Sequence, residues 1–151
     1  MGILTAEMQR VVREQRLGFI ATVCPDHTPN LSPKGTTTVW DDDHLIFADV
    51  CSPGTVANLQ QNPSIEINVV DPILRKGYRF KGTATVYTAG DFFERGMAFY
   101  RQRGSLNKIN SIVLMKVEKA EPLVSPAYDL GRTEAEVRAQ WQAHFAALNP
   151  V

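Results

Sequence analysis

The chain has 151 residues, a length that suits one domain with one hydrophobic core. Sixteen Lys+Arg balance sixteen Asp+Glu, so no overall field draws the protein to nucleic acid or an acidic membrane, and a bound anion must be held by a local cluster. Met1-Gly2-Ile3-Leu4-Thr5 lacks the basic start and apolar run of a signal peptide, and no apolar stretch approaches the roughly 20 residues of a membrane span. A soluble, cytoplasmic protein is expected. Cys24 and Cys51 form neither a Cys-x-x-Cys motif nor a zinc-spaced cluster with histidine, and reduced thiols are expected.

In chain order, Thr5 is placed to cap a first helix running to about Arg16, with Met8, Val11 and Val12 on one face. Leu17 to Val23 reads as a strand closed by the turn Pro25-Asp26-His27-Thr28-Pro29, and Asn30 to Trp40 as a second strand. Asp41-Asp42-Asp43 turns the chain into a third, His44 to Val50. Ser52-Pro53-Gly54-Thr55 opens a short helix, with Ser52 as N-cap and Pro53 at the first helical position; Asn62-Pro63 ends it. Ile65 to Val70 is a fourth strand. Tyr78 to Tyr87 is a fifth, with Tyr78, Phe80, Gly82, Ala84 and Val86 on one face and Arg79, Lys81, Thr83 and Thr85 on the other. Asp91-Phe92-Phe93-Glu94 has capping-box spacing and starts a helix ending near Gly104. Ser111 to Val117 is a sixth strand. A second capping box, Thr133 to Glu136, opens a last helix lined on one side by Val137, Trp141, Phe145 and Leu148. The pattern predicts a mainly β (α+β) protein, a six-stranded antiparallel barrel with flanking helices in a single domain.

Three clusters suit an anion. On the second strand the period of two puts Asn30, Ser32, Lys34, Thr36 and Thr38 on one face, and Pro33 and Gly35, both poor strand residues, mark a place of close approach. Water is the alternative occupant of such a face. The Ser52-Pro53-Gly54-Thr55 helix start offers free amides, hydroxyls and the positive end of the dipole. Arg79 and Lys81 form the third cluster. His27, His44 and His144 have no ligand spacing, and Asp41-Asp42-Asp43-His44 reads as a charged hairpin turn rather than a metal site. No nucleophile is paired with a recognisable base, and neither Gly-x-Gly-x-x-Gly nor a P-loop is present.

Leu17-Gly18-Phe19-Ile20-Ala21-Thr22-Val23, Pro29-Asn30-Leu31-Ser32-Pro33-Lys34-Gly35 and Leu45-Ile46-Phe47-Ala48, in that order, resemble the FMN-binding split barrels of the pyridoxamine 5′-phosphate oxidase-like family. Asn58-Leu59-Gln60-Gln61-Asn62-Pro63 and Tyr78-Arg79-Phe80-Lys81-Gly82-Thr83-Ala84 extend the resemblance to about residues 5–120. It implies a six-stranded split barrel, a homodimer with flavin at the shared interface, and hydride or electron transfer through FMN. A flavin carrier without a substrate, or deazaflavin or haem on the same fold, are the alternatives.

Carried onto this chain, the cofactor residues implied are Ser32, Pro33, Lys34, Gly35, Thr36, Ser52, Gly54, Thr55, Asn58, Arg79 and Lys81; no catalytic residue and no metal ligand is assigned. Where family oxidases carry an Arg-Lys pair at the helix start, this chain has Gly54-Thr55, so Lys34, Arg79 or Lys81 must supply the charge. Asp49 would repel a phosphate if it pointed inward. The segment from Ser125 onward does not resemble the substrate-binding end of the vitamin oxidases, which argues against pyridoxamine phosphate as substrate. Tyr128 or Trp141 could stack on a partner's flavin, and Trp141 is expected to pack the last helix on the barrel.

Overall fold

A computed structural model describes residues 1–149. Its elements run α1 (Ala6–Gln15), β1 (Gly18–Val23), β2 (Pro29–Lys34), β3 (Thr38–Val39), β4 (His44–Asp49), α2 (Pro53–Gln61), β5 (Ser64–Asp71), β6 (Lys76–Tyr87), α3 (Asp91–Gln102), β7 (Ser111–Val124) and α4 (Glu134–Leu148). The strands form one sheet in the order β2-β1-β5-β6-β7-β4-β3, with every neighbouring pair antiparallel.

The two edge strands, β2 and β3, are consecutive in the chain and joined only by Gly35, Thr36 and Thr37. Four peptide steps reach at most about 14 Å. The sheet therefore curls until its edges approach, giving a half-barrel with flanking helices.

Inside the curl lie Ile20, Ile67, Phe80, Leu45, Phe47, Val113 and Met115, all fully buried. The outer side of β4 and β7 carries a second cluster, Ile46, Ala48 and Ile112, which α3 covers with Tyr100 and the partly buried Phe92, Phe93 and Phe99. Strand β4 is thus buried on both faces, which is why Leu45-Ile46-Phe47-Ala48 is an unbroken apolar run rather than an alternating one. Strand β6 keeps the expected alternation, with Phe80 and Ala84 inward.

Four expectations are corrected. The strand expected over Asn30 to Trp40 is broken, because Thr37 turns back on Lys34: its hydroxyl donates to the Lys34 carbonyl at 2.9 Å and its amide at 3.4 Å. The sheet therefore has seven strands, not six. Helix α3 has no capping box, since Gly90, in the left-handed region at φ 92°, is the N-cap and Asp91 is already helical. Strand β7 runs on to Val124, past a bulge where Glu118 is the extra residue between Val117 and Lys119. On α4 the expected Thr133–Glu136 box is present and Val137 is buried, but Leu148 is 61% exposed. Among the described residues no helix is long and apolar enough to cross a membrane.

Gly82 faces the bulge, where a Cβ would stand 1.9 Å from the Lys116 carbonyl oxygen. That atom is backbone in a paired strand and cannot step aside. Gly82→Ala should lower stability by about 2 kcal/mol or more in urea unfolding, the upper part of the range for overpacking. An unchanged urea midpoint would show that the bulge absorbs the methyl group.

Candidate functional site

Strand β2 runs along an edge, and by the period of two Ser32 and Lys34 share its inner face, with Lys34 paired opposite Gly18. Lys34 is 7% exposed. Its ammonium donates to Ser32 Oγ at 2.7 Å and to Ser52 Oγ at 2.5 Å, so the strand is tied to the start of α2 across the barrel mouth.

Ser52 occupies the N-cap position, but its hydroxyl makes no capping bond and accepts from Lys34 instead. Pro53 at the first helical position has no N–H, which leaves the Gly54 and Thr55 amides as the open donors of the first turn. The space around Gly54 is empty to 4 Å where a Cβ would sit, so a ligand could approach that backbone closely.

Asp49 holds this arrangement from below. One carboxylate oxygen accepts the Ser52 amide at 2.7 Å and the other accepts the Ser111 hydroxyl at 3.2 Å. Burial holds the Lys34 ammonium below the ordinary lysine pKa, and electrostatic attraction, chiefly to Asp49, partly offsets that. Among the described residues no carboxylate lies within ion-pair distance of Lys34. Among the described residues, the acceptors in contact with this buried cation are two hydroxyls.

The other sequence-derived residues disperse. Asn58 is buried in α2 and spends its amide on Thr22 Oγ1 at 3.0 Å, pinning the helix to β1; Thr55 beside it is also buried. Pro33 is exposed and paired opposite Phe19, on the outer face. Beyond the break, Thr36 is stitched to the outer side of β4, its hydroxyl accepting the Ala48 amide at 3.0 Å and donating to the Ala48 carbonyl at 3.1 Å.

Arg79 and Lys81 also lie outside. The register places them beside Asn68 and Glu66, and Glu66 takes both cations, at 2.7 and 3.6 Å. The three clusters do not converge within one chain, because Lys34 faces into the barrel and Arg79 and Lys81 face out. Tyr128 and Trp141 are engaged in holding the C-terminal segment: Tyr128 donates to the Leu74 carbonyl at 2.6 Å, and the Arg75 guanidinium lies 3.5 Å from the Trp141 ring centre. Ser111 was not legible in the sequence as part of the site, for it is 62 residues from Asp49 and carries no local motif.

The curled antiparallel sheet with flanking helices defines the class of the fold, a split barrel, and comparison with known proteins makes the class specific. Residues 4–127 match the family model described as pyridoxamine 5′-phosphate oxidase. The chain belongs to the pyridoxamine 5′-phosphate oxidase family. Among solved structures, HupZ of Group A Streptococcus is 32% identical, with 82% of this chain and 96% of that chain covered and a TM-score of 0.73. An FMN-binding protein of Syntrophomonas wolfei is 17% identical over 81% of this chain and 87% of its own, at a TM-score of 0.67. An F420 reductase is 16% identical over 78% and 98%, at 0.61. These last two share the fold. No curated protein matches the chain.

The Lys34–Asp49 arrangement has a pH signature. In the unfolded chain Lys34 returns to its ordinary pKa, so the folded protein binds this proton less tightly. The cost of burying the charge is present in full below the folded pKa and is relieved as pH rises from there to the unfolded value. Asp49→Asn removes the charge that raises the lysine, so the Lys34 pKa should fall further in a 13C NMR titration of its Cε. A midpoint that stays or rises would remove Asp49 as the counter-charge.

Proposed function

We propose that the chain is an FMN-dependent oxidoreductase that works as a homodimer, with the cofactor phosphate held at the barrel mouth. The carrying observation is the buried Lys34 ammonium, in contact with the Ser32 and Ser52 hydroxyls and facing a helix start with open amides. This donor set fits a phosphate: one full charge from Lys34, hydroxyls from Ser32 and Ser52, and the amides of Gly54 and Thr55 at the positive end of α2. Family membership supports the same reading.

Bound FMN would supply hydride and electron transfer, while the protein contributes binding, orientation and electrostatics. In that division Lys34 neutralises part of the dianion, and Ser52 is held in place from its own backbone by Asp49. With Gly54-Thr55 at the helix start and Asp49 close by, phosphate binding leans on one cation. The flavin is favoured over haem at this mouth because no histidine is placed there: His44 contacts Asp41 Oδ1 at 2.7 Å, His144 packs between Trp141 and Phe145, and His27 lies in the turn between β1 and β2, at the far end of β2 from Lys34. Free Cys24 and Cys51 fit a reducing, cytoplasmic setting.

A second copy is favoured by the outer face of β1 and β2, where Phe19 is 40% and Leu31 67% exposed beside Pro33. Sedimentation equilibrium at micromolar concentration should return a dimer mass with FMN present. A monomer mass under those conditions rules the dimer out.

The phosphate role is tested by titrating FMN and riboflavin against the protein by fluorescence. Lys34→Ala should weaken FMN by about tenfold to a hundredfold and leave riboflavin, which lacks the phosphate, within about twofold. Equal losses for both ligands would place Lys34 in the support of the fold instead. Steady-state reduction of the bound flavin by NADH or NADPH separates an enzyme from a passive flavin carrier.

A further inference from the structure

On the other side of the turn from Lys34, bordered by the C-terminal ends of α1 and α3, lies a pocket of about 540 Å³. Arg13 and Arg16 enter it from α1 and Arg103 from the end of α3, and no Asp or Glu lines it. Among the described residues none of these three guanidinium groups is in an ion pair. The contrast with Arg10 on the same helix is direct, for Arg10 is clamped by Glu7 and Glu14, both at 2.5 Å. Arg13 reaches only Gln9 Oε1, at 3.0 Å, and Arg103 lies 3.5 Å above the Phe99 ring centre.

Hydrogen bonds fix part of the wall. Tyr100, buried between α3 and the sheet, donates its hydroxyl to the Thr36 carbonyl at 2.8 Å, and burial pushes its phenol pKa upward, so it remains a neutral donor. Arg101 donates to the Ser105 and Asn107 carbonyls at 2.7 and 2.8 Å and so shapes the loop that closes one side. Gly104, at φ 85°, leaves its backbone approachable. Three exposed arginines without ion pairs line one cavity, where like charges gain from an anion between them, and a guanidinium matches phosphate oxygens two at a time.

We propose that this pocket is a second binding site, distinct from the Lys34 mouth, for a pyrophosphate-class anion. Its three positive charges suit a multiply charged phosphate better than a single carboxylate. The competing role for these arginines is to offset the negative ends of α1 and α3, which needs no ligand.

Calorimetric titration with inorganic pyrophosphate at low ionic strength distinguishes the two. Wild type should saturate with a Kd below about 100 μM, weakening as salt is added. Arg16→Gln and Arg103→Gln should each weaken binding by about tenfold or more, while Arg138→Gln, which removes the same charge elsewhere, stays within about twofold. Lys34→Ala should leave the Arg103-dependent binding event within about twofold, any separate event at the barrel mouth being lost on its own, which keeps this result independent of whether FMN occupies the barrel mouth. Near-UV circular dichroism checks each variant's fold, and Arg103→Gln carries the test if Arg16→Gln does not fold. No saturation by 1 mM (on the order of −4 kcal/mol), an equal loss in Arg138→Gln, a loss confined to Lys34→Ala, or citrate binding as tightly as pyrophosphate would each overturn the proposal.

Discussion

Gly35, Thr36 and Thr37 bridge the two edges of a seven-stranded sheet, and that short bridge imposes the curl on everything between. A sheet whose first and last strands are tied within one turn must wrap around its inner side chains, and Phe80, Ile67, Ile20 and Phe47 fill that interior. The same bridge sends neighbouring polar residues to opposite sides. Lys34 ends β2 pointing into the barrel mouth, whereas Thr36 is bonded to the outer side of β4. Two electropositive places, one inside and one outside, therefore sit on either side of a single turn.

The inner one is a balance of opposed costs. Burying an ammonium is unfavourable, and hydroxyl acceptors offset only part of that. Asp49 adds a partial compensation at a distance, while its own oxygens are occupied by the Ser52 amide and the Ser111 hydroxyl. A phosphate would take over the role of Asp49 at closer range. The outer place differs: its arginines are exposed, so water meets the cost of the charges.

Helix α2 shows how a local signal and its use can part. Ser52-Pro53-Gly54 marks a helix start in any setting, and the helix does begin there. A capping serine normally spends its oxygen on its own helix. Here Lys34, 18 residues earlier, claims that oxygen, and the first-turn amides stay open as a result.

Element type and face were legible in the sequence wherever one period dominated. The β6 alternation, the unbroken apolar run of β4, the Thr133–Glu136 box and the Pro53 helix start depend only on residues a few positions apart, so local chemistry determined them. Family motifs pointed to the split barrel for the same reason. The break at Gly35 to Thr37, the β7 bulge and the meeting of Lys34 with Ser52, Asp49 and Ser111 depend on strands brought together from distant parts of the chain. Arg79 and Lys81 carry the same charge as Lys34 in the sequence, and only the register, which sets them beside Glu66 on the outer face, separates them from it. The arginines of α1 and α3 lie some ninety positions apart (roughly 300 Å along an extended strand). They become neighbours only because closing the barrel carries the end of α3 back to the end of α1.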